Sequence, residues 1–509
     1  MGFRELTFKL PTDFSDEQLK RKIANKLRIN NFTFQIENKS LDARNKRNIH
    51  WLVKVGVSSK EIKGPERPQE NSLHISYRKR NKSVLVVGSG PAGFFSAFVL
   101  QKAGFDVTLV ERGTEVVERA KGIADFENSG RFNPVSNYAF GEGGAGTFSD
   151  GKLTSRTKRI PNEKKFIIDN YIAAGAPAEI GYLAHPHVGS DNLKIITQNL
   201  RRNFRDIGGK ILFETKLKDL TIKQNRVASA TTSNGEIAAD VFFIAPGHSA
   251  YDTYRMLIKR GVQFRAKNFA IGCRSEHPQA IINRAQWGCE NLPGVKAAEY
   301  RLTSTGDDNH AVYTFCMCPG GVVVPATAFA ETNIVNGMSL YNRNAKFANA
   351  ACVAAVNLDR LTGRETTALE ALDWVSSLEN SFWEFSQNYA APFCTIQNFI
   401  NQKEQSGVVE SSYPLDLKPA PLWEMLPQQL TKSLQNGLKH FSRKIKGYET
   451  GILLGLESKT SSPIQALREA NGLCAEFENL YMVGEGSGFA GGIISSGADG
   501  IRAAMTLVE

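Results

Sequence analysis

The sequence predicts an α/β protein in three parts: a small basic α+β domain over residues 1–80, an α/β domain over 81–250 completed by 451–509, and an α+β substrate or cap domain over 251–450 inserted between them. Three observations predict it. A buried apolar strand, a glycine turn and a helix follow one another from Ser83. A second strand, glycine loop and helix close the chain at 478–509, and alternating apolar residues mark short strands before residue 60.

In the first part, residues 3–10 and 31–38 alternate apolar and polar, and Trp51, Val53, Val55 and Val57 alternate again at the strand period of two. Leu19, Ile23 and Leu27 recur every four residues, which predicts a helix over 16–28 capped by Ser15 or Asp16. The polar stretch 58–69 and the basic run 78–82 read as a linker. From Ser83 the order is strand VLVVG, turn, helix and strand DVTLVE. Residues 191–207 then read as a helix, and KILFE, LKDLTIK, RVASATT and VFFIAPG read as strands. Residues 251–448 mix helical and strand-like segments without an assignable motif. The chain closes with strand NLYMVGE, a glycine loop and a helix over 497–509.

At 509 residues the chain exceeds one ordinary core, and 41% hydrophobic with 22% charged residues marks it as globular. No stretch approaches the roughly 18 apolar residues of a membrane span, and MGFRELTFKL lacks a signal-peptide pattern, so the expected location is cytoplasmic. Seven cysteines, all between Cys273 and Cys474, form neither a disulfide framework nor paired zinc spacing. The net charge of +11 raises the question of nucleic acid, but residues 1–82 hold 19 Lys or Arg against 9 Asp or Glu, which is +10 of that total. Phe32 and Phe34 stack bases only if both are exposed, and their spacing with Ile36 suits a buried face better.

The chemistry-bearing motif is VLVVGSGPAGFFSAFVLQKAGFDVTLVER, where Gly88, Gly90 and Gly93 stand between a buried strand and a helix, with Glu111 ending the next strand. Gly88 permits the tight turn, Gly90 leaves no side chain between backbone and pyrophosphate, and Gly93 lets helix pack on strand. The helix N-terminus offers free N–H groups to phosphates, and Glu111 suits the ribose hydroxyls. The same glycine spacing recurs at Gly141, Gly143 and Gly146 and at Gly486, Gly488 and Gly491. The first recurrence lacks a preceding buried strand and the second lacks a following acid, so only the Gly88 copy meets the Rossmann-type dinucleotide-binding context.

The segment NLYMVGEGSGFAGGIISSGADGIRAA resembles the second flavin motif of the glutathione-reductase-like flavoproteins, and VFFIAPGH resembles their short return element. The resemblance implies FAD rather than NAD, with Glu485 on the ribityl chain and the last helix aimed at the flavin. The whole chain is similar to the bacterial FAD-dependent dehydrogenases often labelled NAD(FAD)-utilising dehydrogenases. SLDARNKRNIHW, GEGGAGTFSDGKLTSR, HPHVGSDNL, IGCRSEHPQAII, FCMCPGG, NGMSLYNRNAKFANA and GEGSGFAGGIISSGADG carry that similarity. One departure stands at LESKTSSPIQALRE, where Ser458 and Lys459 replace the family's Thr-Arg, and a lysine cannot make the two-pronged clamp of an arginine.

These motifs imply a Rossmann-type, glutathione-reductase-like FAD domain with an inserted cap. The cofactor-binding set is Gly88, Gly90, Pro91, Ala92, Gly93, Glu111 and Arg112, then Thr147, Ser149 and Lys152 of the 143–153 loop, then Ala245 and Gly247, and finally Gly484, Glu485, Gly491, Gly492 and Ile493. No covalent link is expected, and no separate NAD unit is present, which leaves NADH or NADPH to dock transiently as donor. Cys316, Cys318 and Lys152 are the candidates for catalysis, with the cysteine pair read either as a dithiol passing electrons to the flavin or as a strand-end turn. A disulfide between residues i and i+2 of a strand is strained unless Pro319 and Gly320 bend the chain. His185 and His187 make a poor metal site, so no metal is expected. Arg274, Glu276 and His277 read either as acid–base groups or, more simply, as a structural ion pair.

The function these features imply is an FAD-dependent oxidoreductase that transfers hydride through flavin to or from a small-molecule substrate held between cap and flavin. Substrate, donor and oligomeric state stay open. The alternatives are a flavoprotein associated with nucleic acid through its basic N-terminal domain, and one that keeps flavin as a structural or sensing group.

Overall fold

The computed structural model describes residues 1–68, 72–305 and 310–509, so Gln69, at the end of the expected linker, lies outside the described residues. The N-terminal unit is an antiparallel sheet in the order Gly2–Leu10, His50–Ser59, Thr33–Asp42, covered by the helix Asp16–Leu27. Ser15 and Gln18 cap that helix reciprocally, each side chain accepting from the other's backbone N–H. Leu19 and Ile23 are fully buried against Val53, Val55 and Val57. Phe32, Phe34 and Ile36 pack half-buried on the same core, which is not a base-stacking surface.

Residues before the expected boundary at 80 make contacts with both neighbouring units. Ser58 and Ser59 belong to the last strand of the unit, while Leu73 and Ile75 already pack on the core of the next domain. The N–H groups of Arg78 and Arg80 donate to Ala103 and Gly104 carbonyls. The Arg80 guanidinium donates to the Leu507 and Val508 carbonyls at 3.0 and 2.6 Å, satisfying acceptors that the last helix leaves free. Residues 72–80 are thus bound by backbone and side chain to the α/β domain.

The α/β domain is built on a five-stranded parallel sheet in the order Leu480–Met482, Val241–Ile244, Ser83–Val87, Asp106–Val110, Lys210–Leu212. Both faces are buried, and alternate residues of one strand serve two cores. Val84 and Val86 pack under the helices Pro91–Lys102 and Ile493–Val508, while Leu85 and Val87 face the opposite core. Chain order reverses at Ser83–Val87, whose neighbours are a later strand on one side and the next strand on the other. In doubly wound sheets the crevice beyond the carboxyl ends at such a switch point is where ligands bind. The closing helix begins at Ile493, four residues before its expected start.

The region without an assignable motif folds mainly as an eight-stranded, largely antiparallel sheet with Phe269–Pro278, Phe347–Val356 and Val312–Pro325 at its centre. Its strands were hidden because they are buried on both faces, so Phe269–Pro278 and Phe347–Val356 show no alternation. Beyond the expected boundary at 451, Ile452–Glu457 pairs with Phe269–Pro278 and Ala391–Thr395 in this sheet.

Candidate functional site

Two glycine turns meet at the switch point. Gly88 takes φ of +98°, and a Cβ there meets the Ala245 carbonyl oxygen at 2.2 Å. A Cβ at Gly93 lies 1.9 Å from the Gly88 oxygen, so the helix Pro91–Lys102 sits directly on the turn. Gly90 differs. It caps this helix, with Pro91 in the first turn, and a Cβ there meets only the Gly144 Cα, at 3.8 Å.

Glu111 is buried, and its carboxylate accepts from Ser89 N and Oγ at 2.9 and 2.8 Å and from Gly113 N and Gly141 N at 2.9 and 3.1 Å. It ties the first turn to the 141–152 loop. Arg112 makes a two-pronged pair with Asp252, both bonds 3.0 Å, and lies 3.9 Å above the Phe140 ring. Sequence reasoning missed Arg119, which is fully buried and donates to the carbonyls of Asn137, Tyr138, Gly141, Glu142 and Gly144. It holds the loop from inside, and burial pushes its guanidinium down to about 10. Glu142 accepts from Val116 N at 2.8 Å, and burial pushes its carboxyl up to about 7. A charged residue wholly inside a helix was the available signal for Arg119, but its partners are all carbonyls and leave no sequence trace.

In the same loop Thr147 is buried and donates to the Glu142 carbonyl, while the Ser149 hydroxyl donates to Gly146 O and accepts from Gly151 N. Lys152 pairs with Asp150 at 2.9 Å and donates to the Met317 carbonyl across the boundary with the cap sheet. The neighbouring Asp150 charge raises the lysine above its ordinary value against the effect of burial. Asp150 is also held by Arg343 at 2.6 Å.

The C-terminal turn closes against the first. A Cβ at Gly484 meets the Ala92 Cβ at 2.6 Å, and Gly484 N donates to Asp499 at 2.7 Å, with Arg468 pairing the same carboxylate at 2.7 Å. Asp499 and Arg468 were not anticipated. Ile493 touches the position of a Gly146 Cβ at 3.2 Å, linking this turn to the 143–153 loop. Gly492 caps the last helix with φ of +81°, and neither it, Gly491 nor Gly247 has any atom within 4 Å of a built Cβ. Beside Gly247, His248 Nδ1 lies 3.3 Å from Glu485, while its buried Nε2 has no partner among the described residues. Bare backbone, two helix N-termini and an unpaired buried nitrogen suit an elongated anionic dinucleotide.

The remaining candidates resolve as structure. Arg274 pairs with Glu457 at 2.8 Å rather than with Glu276, which accepts from Ser411 and Ser412. His277 Nε2 lies 2.7 Å from the Tyr448 carbonyl, and burial pushes its imidazole down to about 4. His185 is exposed while His187 is buried against the Tyr341 carbonyl at 2.9 Å, so the two do not converge. Among the described residues no cluster of three metal-ligating side chains occurs, and no helix is long and apolar enough to cross a membrane. Lys459 is committed inside the protein to Glu379 at 2.7 Å and to the Tyr251 hydroxyl.

Three families match in series: a domain of unknown function over residues 3–58, an FAD binding domain over 81–125, and an FAD-dependent protein C-terminal domain-like family over 268–460. The last match ends just beyond the strand that joins the cap sheet. An L-proline dehydrogenase from P. horikoshii overlaps 84% of this chain and 94% of its own, at 11% identity and a TM-score of 0.35. A glycine oxidase from Bacillus cereus overlaps 84% and 95%, at 12% identity and a TM-score of 0.32. Overlaps this loose say nothing of what the present chain oxidises. An uncharacterized protein of Clostridium beijerinckii is 37% identical over 531 residues, covering 100% of this chain and 99% of its own. The chain therefore carries an FAD binding domain and belongs to the same family as that Clostridium beijerinckii protein.

Proposed function

We propose that this chain is an FAD-dependent oxidoreductase that holds one non-covalent FAD across the switch point and acts on a small molecule admitted between the α/β domain and the eight-stranded sheet. One observation carries the reading. Gly88 and Gly93 are pressed by their own chain, whereas a side chain at Gly247, Gly491 or Gly492 meets nothing and one at Gly90 only grazes Gly144. Gly247 and Gly492 are also glycines by their positive φ, but Gly90 and Gly491 are not, and bare backbone that the fold itself does not require is what close approach of a cofactor requires.

In this reading the pyrophosphate lies over Gly90 and the first turn of Pro91–Lys102, and the flavin end lies toward Gly491, Gly492, Ile493 and His248. The helix N-termini face the anionic parts, and Glu111 sets the turn through Ser89 while Arg119 fixes the loop that covers it. Lys152 stands where that loop meets the cap sheet, at the edge of the substrate space. Bound FAD supplies two-electron redox chemistry, and the chain supplies orientation and hydrogen bonding. We further assign residues 72–266 and 461–509 to the FAD domain and 267–460 to the cap.

Anaerobic stopped-flow mixing of the purified holoprotein with NADH, NADPH and a panel of small organic donors tests the reading. Rapid bleaching of the flavin band by one of them is the expected result. If no donor reduces a flavin that dithionite does reduce, the flavin is structural or sensing and the oxidoreductase assignment fails.

A further inference from the structure

The cysteine pair of the cap sheet does not have the geometry of a regular strand. Between Phe315 and Cys318, and again between Cys318 and Gly321, the register of Val312–Pro325 against Phe347–Val356 shifts. Cys316 takes φ of +45°, a left-handed conformation that a cysteine adopts only under constraint. Across this double bulge the Cys318 thiol donates to the Cys316 carbonyl at 3.3 Å, and the two neighbouring thiols act on each other's acidity. An i, i+2 pair in such a bulge is not held to the fixed separation of a regular strand.

The surroundings are polar on every side. Arg274 Nη2, from the strand Phe269–Pro278, donates to the Cys316 carbonyl at 2.8 Å and to Cys318 Sγ at 3.5 Å. Glu457, from Ile452–Glu457, holds that arginine. From the 143–153 loop, Lys152 reaches the intervening Met317 carbonyl, with Asp150 and then Arg343 behind it. The Cys318 thiol and the Lys152 and Arg274 charges push Cys316 down to about 6, against the opposing effects of burial and Asp150. Burial pushes Cys352, Cys394 and Cys474 up to about 12. Cys316 is half-buried, whereas Cys318 is fully buried.

We propose that Cys316 and Cys318 form a redox-active dithiol that reduces a low-molecular-weight disulfide, with Cys316 as attacking thiolate and Cys318 as resolving thiol. The Cys316 thiolate attacks one sulfur of RSSR, the S–S bond breaks, and RS⁻ leaves. The Cys318 sulfur then attacks Cys316 Sγ, the bond to RS breaks, and that group departs as RSH with the Cys318 proton. Two electrons pass from the dithiol to RSSR, giving two thiols and an internal disulfide. The bulge and Arg274 belong to the cap sheet and Lys152 reaches it from the 143–153 loop through contacts within the chain itself, so the proposal does not require bound flavin.

The test uses the full-length holoprotein with Cys289→Ser, which removes the other exposed thiol. Iodoacetamide labelling of the Cys316 peptide is followed across pH, and oxidised glutathione is then added and the peptides mapped. The expected result is half-maximal labelling near pH about 6, release of two thiols per chain, and a Cys316–Cys318 peptide lighter by two hydrogens. Cys318→Ser should stop at glutathione on Cys316, and Cys316→Ser should give neither product. A wild-type Cys316 that stays unlabelled below neutral pH, or that keeps glutathione without forming the internal disulfide, overturns the proposal even if Cys318→Ser does not fold. The same measurement on protein stripped of FAD should give the same products, which separates this outcome from failure of the flavin reading.

Discussion

Cofactor retention turns on single residues whose side chains, or lack of them, face the crevice. Gly90→Val fills the space over the helix N-terminus with a branched side chain while touching little of the chain itself, since only Gly144 lies near. FAD occupancy of this variant, read from absorbance after gel filtration, should fall to nearly none while circular dichroism stays native. Full occupancy would move the phosphate site elsewhere. Glu485 is the second test, because its carboxylate faces His248 and is only partly engaged. Glu485→Ala should weaken FAD by about 1–3 kcal/mol, the cost of losing a charged hydrogen-bond partner, and an unchanged dissociation constant from flavin fluorescence titration would reject its role. The glycines were legible because their spacing after a buried strand has a mechanical meaning. Arg119 and the full engagement of Glu111 were not, because both depend on backbone groups that the fold brings in from residues 113 and 137–144.

At the scale of elements, the two helices that point into the crevice cross in tight contact. A Cβ on Gly500 of the last helix lies 2.2 Å from the Ala92 oxygen of the first, so the pair crosses with no room for even a methyl group. Gly500→Ala should destabilise the protein by about 1–3 kcal/mol through overpacking and weaken FAD as both N-termini shift. A stability and affinity equal to wild type would show that the crossing has slack. The strand Phe269–Pro278 carries a pH dependence through His277, whose ordinary value of 6.5 is pushed down to about 4 by burial. The unfolded chain takes up the proton between those values and the folded one does not, so stability is full above about pH 6.5 and falls as pH drops toward 4. The full shift corresponds to about 3 kcal/mol, and urea midpoints across this window should fall less steeply in His277→Asn. Equal slopes would place the titration on another group, His187 first. Strands with one solvent-facing side, such as Gly2–Leu10, were readable from alternation, whereas Phe347–Val356, buried on both faces, offered no period to read.

For the whole molecule, the domain limits proposed above make a prediction about truncation. Leu73, Ile75 and Arg80 are part of the α/β core and its helix end, so a chain beginning after residue 68 should fold and stay yellow, whereas one beginning after residue 80 should lose thermal stability. Equal melting temperatures for the two would show that 72–80 contributes nothing. The strand, glycine turn and helix at 83–102 were legible because the turn carries a signal, whereas the placement of 72–80 and 452–457 was not, since it depends on pairing with residues far away in the sequence. The concentration of basic residues in the first 82 positions also has a local explanation in part, for Lys54, Arg67 and Arg44 are paired with Glu5, Glu37 and Asp42. The central claim is that two glycine turns and two helix N-termini jointly hold one FAD without a covalent bond. Acid precipitation of the purified protein, with chromatography of the supernatant and spectroscopy of the pellet, tests this most directly. The account predicts one equivalent of FAD per chain in the supernatant and a colourless pellet; FMN in the supernatant, flavin left in the pellet, or protein that takes up no flavin from excess FAD would contradict it.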